Sequence, residues 1–244
     1  MLWFIITQST KHRENIMRSI SLRNKTILKI LNDFKDYILD ESLSYILNEE
    51  KSYKSYRKPF EKTITEEYLN HIRKDPNKHE GYPECLRGVE LKNDVPLSEV
   101  FSLNNNEEIK DQLNSIIEKS THVCSELNKF IASRNNALCA YYPEDGFIGW
   151  HNNQNAPGNN ILFSYSETGT GWFEYLDLKT NKTVKMPDQK GVWTCKVGYY
   201  GTYEEEDKVF WHKAESNGGR RITVAFMCPD EMMWNMAIED IETP

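Results

Sequence analysis

The sequence predicts an α+β chain, with a helical first half followed by a β-sandwich or barrel. Two observations carry this. Before residue 131 the apolar residues recur at helical spacing, as at Ile27, Ile30, Leu31, Phe34 and Ile38. From about residue 137 the pattern changes to short runs bounded by Gly, Pro, Asn and Asp, the punctuation of strands and turns.

A second helical period runs through Ile109, Leu113, Ile116, Ile117, Val123, Leu127, Phe130 and Ile131. Asn105 followed three residues on by Glu108 marks its expected start. Residues 52–105 are rich in Lys, Glu, Pro and Tyr without a clear period, and are expected to form loops and short elements, some covering a substrate site. The expected strands are Ala137–Tyr142, Ile161–Tyr165, Gly171–Leu176, Thr183–Met186, Gly191–Val197, Lys208–Trp211 and Arg221–Met227. In the last of these Ile222, Val224 and Phe226 share one face, and Arg221, Thr223, Ala225 and Met227 the other. An arginine inside an apolar strand must meet a carboxylate, from the protein or from a ligand, because burying it unpaired is costly. The tail Pro229–Ile241 is expected to form a short helix with Met233, Ala237 and Ile241 on one side. The division is thus a helical region at 1–136, a β core at 137–228 and a short C-terminal helix or tail at 229–244.

The net charge of −7, with 30 basic and 37 acidic residues, makes nucleic acid a less favoured partner. The 5 cysteines are odd in number and scattered without a CxxC pair, so reduced thiols and a cytoplasmic location are expected rather than disulfides or a zinc knuckle. The apolar start Leu2–Ile6 is too short for a secretory leader, and no run approaches the ~18 apolar residues of a membrane span.

Two histidines concentrate the chemistry. His151 ends the segment Tyr142-Pro143-Glu144-Asp145-Gly146-Phe147-Ile148-Gly149-Trp150-His151 and lies two before Asn153. Gly146 and Gly149 predict a bend ahead of it. His212 follows Val209-Phe210-Trp211 and precedes Arg221 by nine residues. A lone histidine is most often a satisfied core or turn residue. Two on separate runs, one with a polar residue two positions on and the other just ahead of an arginine, suit an open non-haem Fe(II) site. Asn153 stands where such a site normally has a carboxylate. Asn152 would turn away on an extended chain, and Asp145 reads as a turn residue. Trp150, Trp172, Trp193 and Trp211 read as core. Glu204–Asp207 reads as a solvated loop with a possible lid role, and Arg220 as a solvated charge on the face opposite Arg221. His12, His71, His79 and His122 lack paired spacing and read as structural.

These segments resemble the Fe(II)/2-oxoglutarate-dependent dioxygenases, in particular the prolyl-hydroxylase-like and AlkB-like branches. Tyr142 to Asn153 resembles the Tyr-x-x-Gly…His-x-Asp segment, with Asn in place of Asp. Asn160–Leu176, containing Gly169-Thr170-Gly171-Trp172-Phe173, resembles the strand–glycine–strand stretch that follows it. Trp211-His212 through Arg221-Ile222-Thr223 resembles the distal histidine and the Arg-x-Ser/Thr motif. The resemblance covers roughly 137–228. It implies a double-stranded β-helix (jelly-roll, cupin-like) core flanked by N-terminal helices. It also implies Fe(II) held by His151, His212 and Asn153, with 2-oxoglutarate held by Arg221, Thr223 and Tyr142. The implied reaction is hydroxylation of a peptide or small-molecule substrate by O₂, with 2-oxoglutarate converted to succinate and CO₂. Asn153 leaves three outcomes: ligation through its amide oxygen, a vacant position as in related halogenases, or a catalytically silent jelly-roll that only binds. A cupin-like metalloenzyme without 2-oxoglutarate is a further alternative, and would have no need of arginine at 221.

Overall fold

The computed structural model describes residues 17–48, 61–75, 85–91, 107–133, 136–153, 156–202, 204–205 and 207–244. Asn105, His12 and His79 lie outside them, as does most of the loop region expected over 52–105.

Two antiparallel sheets face each other. The larger contains β1 (Arg18–Ile20), β3 (Val89–Glu90), β4 (Asn136–Tyr142), β6 (Gly158–Ser166), β9 (Trp193–Tyr200) and β11 (Arg221–Cys228), in the order β1-β9-β6-β11-β4-β3. The smaller contains β2 (Leu86–Arg87), β5 (Phe147–His151), β7 (Trp172–Asp177), β8 (Lys182–Pro187) and β10 (His212–Glu215), in the order β2-β5-β10-β7-β8. From β4 to β11 the chain moves repeatedly between the two sheets, so strand neighbours in space are distant in sequence. The expected helical region therefore also contributes three short strands, which extend the edges of both sheets.

Helices cover the outer face of the larger sheet. Helix α1 (Lys25–Ile38) starts where the Asn24 side chain accepts hydrogen bonds from the backbone N–H groups of Thr26 and Ile27. It buries Ile27, Leu31, Phe34 and Ile38, the stripe expected from spacing. Helix α2 (Glu41–Asn48) follows it. Helix α4 (Glu107–Ile131) adds Leu113, Ile116, Val123, Leu127 and Ile131 to the same core. Helix α5 (Glu231–Glu242), capped by Asp230 onto the Met233 N–H, adds Ala237, Ile238 and Ile241. Ile222, Val224 and Phe226 of β11 face these helices. A smaller cluster on the outer face of the other sheet joins Trp150, Leu176, Val209 and Trp211 to Tyr68, Leu69 and Ile72 of α3 (Glu66–Ile72).

Two segments differ from expectation. The bend expected before His151 is a turn over Pro143–Gly146, closed by the Gly146 N–H donating to the Pro143 carbonyl, but Gly149 lies beyond it, inside strand β5. A Cβ there would stand 2.1 Å from the Thr63 Oγ1, so glycine is needed because the 3₁₀ turn Glu61–Ile64 lies directly on the strand. The strand expected at Lys208–Trp211 is displaced to His212–Glu215. Val209 and Trp211 are apolar because they pack beneath α3, while Phe210 packs between the sheets. All 5 cysteines are buried free thiols. Among the described residues no helix is long and apolar enough to cross a membrane.

Candidate active site between the sheets

The inner faces of the two sheets enclose a cavity of about 590 Å³, counting its mouth onto solvent. Leu138, Ile148, Leu162, Phe173, Ala214 and Ala225 give it apolar walls. The polar groups reaching it are Tyr142, His151, Asn153, Asn160, Tyr200, His212, Arg221 and Thr223. All six residues expected at the site therefore border one space. None of the four tryptophans considered from the sequence lines it.

His151 and His212 meet because β5 and β10 are neighbours, and the register sets the two residues opposite each other. Their ring centroids are 4.1 Å apart, and both side chains are buried. Nδ1 of His151 donates to the Gly149 carbonyl at 2.8 Å, and Nδ1 of His212 to the Phe210 carbonyl at 3.0 Å. A carbonyl can only accept, so Nδ1 carries the proton in each ring and Nε2 carries the lone pair of the neutral form. Backbone bonds of this kind fix tautomer and ring orientation in metal-binding histidines. Tyr200 packs against His212 with centroids 4.8 Å apart. Burial pushes its phenol far above the usual range, so it stays protonated.

Asn153 lies just beyond the end of β5, half-buried at the cavity edge. Asn152 is buried and does not line the cavity. Among the described residues no third histidine, cysteine or carboxylate completes a metal-binding group with the two imidazoles. Asp145 is engaged elsewhere, in an ion pair with Arg87.

Arg221 opens β11 and is 1% exposed. Its register partner across the sheet is Tyr142, whose ring centre is 5.5 Å from the guanidinium carbon. Nη1 donates to the Thr223 Oγ1 at 2.5 Å, and Thr223 also shares a hydrogen bond with Tyr142. Burial raises the Tyr142 phenol to about 12, against the opposing pull of Arg221.

The partner demanded by a buried arginine is in part a protein carboxylate. Nε of Arg221 donates to the Asp188 Oδ2 at 2.7 Å. Asp188 Oδ1 accepts from the Lys196 ammonium at 2.9 Å. Burial opposes ionisation of Asp188, but Arg221 and Lys196 together outweigh it and hold the carboxyl down at about 2. Nη2 of Arg221 is buried and has no hydrogen-bond partner among the described residues. An unsatisfied buried charged donor is costly, so this atom marks a place for an acceptor that the described residues do not supply.

Asp188 and Lys196 were not singled out from the sequence. Lys196 carried a readable signal, because it alternates with Trp193, Cys195 and Val197 and so points inward from β9, as Arg221 does from β11. Asp188 directly follows the end of β8 and carried none. Arg220, expected to be solvated, instead grips Glu167 through Nε at 3.0 Å and Nη2 at 2.6 Å, and also donates to the Leu39 carbonyl. It ties the start of β11 to the end of α1.

The sequence matches no protein-family model, and no curated protein is similar to it. Among solved structures, the chain is similar to a Pseudomonas putida prolyl-4-hydroxylase at 11% identity and a TM-score of 0.38, over 88% of this chain and 93% of the other. It is also similar to the Arabidopsis thaliana dioxygenase for auxin oxidation 1 in complex with 2-oxoglutarate, at 8% identity and a TM-score of 0.36, over 90% and 85% of the two chains. A predicted oxalate decarboxylase from Thermotoga maritima is similar at 15% identity and a TM-score of 0.23, over 39% of this chain and 67% of that one. Likenesses this distant carry no argument about activity.

Proposed function

We propose that the chain is an Fe(II)- and 2-oxoglutarate-dependent oxygenase on a double-stranded β-helix, hydroxylating a peptide or small-molecule substrate. The observation that carries this reading is the unsatisfied Nη2 of buried Arg221, in the same cavity as two imidazoles held in one tautomer. A cavity that offers a cation to one end of a ligand and two nitrogen lone pairs to a metal suits a chelating 2-oxo acid with a distal carboxylate.

The residues fit the group in most respects. His151 and His212 would hold Fe(II) through Nε2, and Asn153 would border the iron as a neutral amide in place of the usual carboxylate. The bound iron and 2-oxoglutarate supply the oxidising chemistry, with O₂ consumed and succinate and CO₂ released. Arg221 would bind the distal carboxylate. Asp188 occupies Nε, so the Nη1–Nη2 end of the fork remains for two parallel charge-assisted hydrogen bonds. Thr223 and Tyr142 orient that end, and Tyr142 keeps its proton and serves as a donor. Phe173, Leu162 and Ile148 give the cavity that holds the histidines apolar walls. The buried thiols are compatible with a reducing, cytoplasmic setting.

A second reading has one observation in its favour. No third anionic ligand joins the imidazoles among the described residues, which suits a silent jelly-roll that binds without reacting, or a site with an open iron position. An anaerobic titration with Fe(II) and 2-oxoglutarate separates these. The weak visible charge-transfer band of the chelate is expected in the wild type. No band, together with no calorimetric binding, would favour the silent module.

A further inference from the structure

Arg221 alone does not make this cavity an anion site, because Asp188 is in direct contact with it. An arginine and an aspartate joined at 2.7 Å form a neutral pair, and a neutral pair has little pull on a further carboxylate. The buried cluster has a third charge. Lys196 is 1% exposed, and its ammonium donates to the Asp188 Oδ1 at 2.9 Å, the Ser164 Oγ at 2.9 Å and the Thr194 Oγ1 at 3.1 Å. Each acceptor is free to accept. Ser164 gives its own proton to Asp188, and Thr194 can give its proton to the Ser164 carbonyl. Three acceptors match the three N–H bonds of a protonated lysine. Two cations and one carboxylate leave the cluster with one uncompensated positive charge, and only Arg221 of the three lines the cavity.

We infer that Lys196 is a specificity-determining and positioning residue: by engaging Asp188 from behind, it leaves the charge of Arg221 uncompensated and so commits the cavity to a ligand with one carboxylate at that end. Lys196 need not touch the ligand. Asp188 acts as a two-sided hinge between the cations, one oxygen on each, and fixes which edge of the guanidinium stays available. The selected ligand class is a monoanionic tail on a metal-chelating 2-oxo acid. This rests on the proposed function, whose cosubstrate it would select.

Charge complementation tests it. Lys196→Met leaves Arg221 and Asp188 as a neutral pair. Lys196→Met combined with Asp188→Asn restores one positive charge with near-isosteric side chains. Each full-length protein, loaded with Mn(II), is titrated calorimetrically with 2-oxoglutarate and with 2-oxobutyrate, which has the same chelating end but no distal carboxylate. The wild type is expected to prefer 2-oxoglutarate by about 10- to 100-fold, the scale of charged hydrogen bonds. The single variant should lose most of that preference through weaker 2-oxoglutarate binding, with 2-oxobutyrate unchanged. The double variant should regain it, although it has lost one more native side chain. A single variant with the wild-type preference, or a double variant as unselective as the single, overturns the inference. Loss of both ligands in both variants also overturns it, since Lys196 would then hold the fold rather than set the charge. A wild type that binds neither acid overturns the proposed function, and this inference with it.

Discussion

His151 and His212 are direct cross-strand partners, 61 residues apart in sequence and 4.1 Å apart between ring centroids. The pairing of β5 with β10 alone brings them together, and each ring is then locked by a carbonyl two residues earlier on its own chain. A ligand therefore meets nitrogens whose direction and neutral tautomer are already set, which lowers the ordering cost of binding.

Arg221→Lys should weaken 2-oxoglutarate binding by about 1.5–3 kcal/mol, because an ammonium cannot keep Asp188 and Thr223 and also present a planar fork to a carboxylate. Calorimetry on the metal-loaded variant measures this. Unchanged affinity would show that the buried guanidinium serves the fold alone.

Gly149→Ala should destabilise the protein by about 1–3 kcal/mol, the usual cost of overpacking. The new methyl would meet the Thr63 Oγ1 at 2.1 Å and its Cβ at 2.5 Å. Thr63→Gly should recover part of the loss, because it removes both atoms. Urea unfolding of the two single variants and the double measures the coupling. Strict additivity would mean that the 3₁₀ turn does not rest on β5 in solution.

Strand parity in β11 was legible, because alternation is a local property that burial on both faces leaves intact. It placed Arg221 and Thr223 inward and Ile222, Val224 and Phe226 outward. The bend framed by Gly146 and Gly149 was legible only at Gly146, because Gly149 answers a turn 86 residues earlier, which no local pattern reveals. The position of β10 was misread for a similar reason, since Val209 and Trp211 owe their apolar character to α3. Lys196 was legible by the same parity reasoning as Arg221. Asp188 was not, because an aspartate after a strand is ordinary until tertiary structure sets two cations on it.

Acid should weaken the fold through Asp188 in a defined window. Its folded value of about 2 lies below the ordinary 3.8, so the unfolded chain takes up the proton first as pH falls. The contribution is fully present above about pH 5 and is lost as pH drops through 4 to 2. It is worth about 2 kcal/mol for this group alone, less what burial of the Lys196 ammonium offsets. The Lys196→Met/Asp188→Asn variant lacks this group, so its urea stability should fall less steeply than the wild type's between pH 5 and 2. Parallel curves would show that other carboxylates dominate the acid transition.

Asn153 decides how tightly the site can hold iron. Two neutral imidazoles and an amide leave the metal's charge less compensated than a carboxylate would, so Asn153→Asp should tighten Fe(II) binding. About tenfold or more is expected, because a carboxylate at the same position adds a full negative charge beside a divalent cation. Asn153→Ala separates the two roles open to the native amide. If the amide oxygen ligates, alanine should weaken Fe(II) binding, whereas an alanine variant with wild-type affinity would mean that the position belongs to water or an exogenous anion. Anaerobic Fe(II) titrations of the three proteins, with 2-oxoglutarate held constant, read both effects. If neither the wild type nor Asn153→Asp binds Fe(II), the histidine pair is not a metal site, and the silent binding module becomes the better account of the cavity.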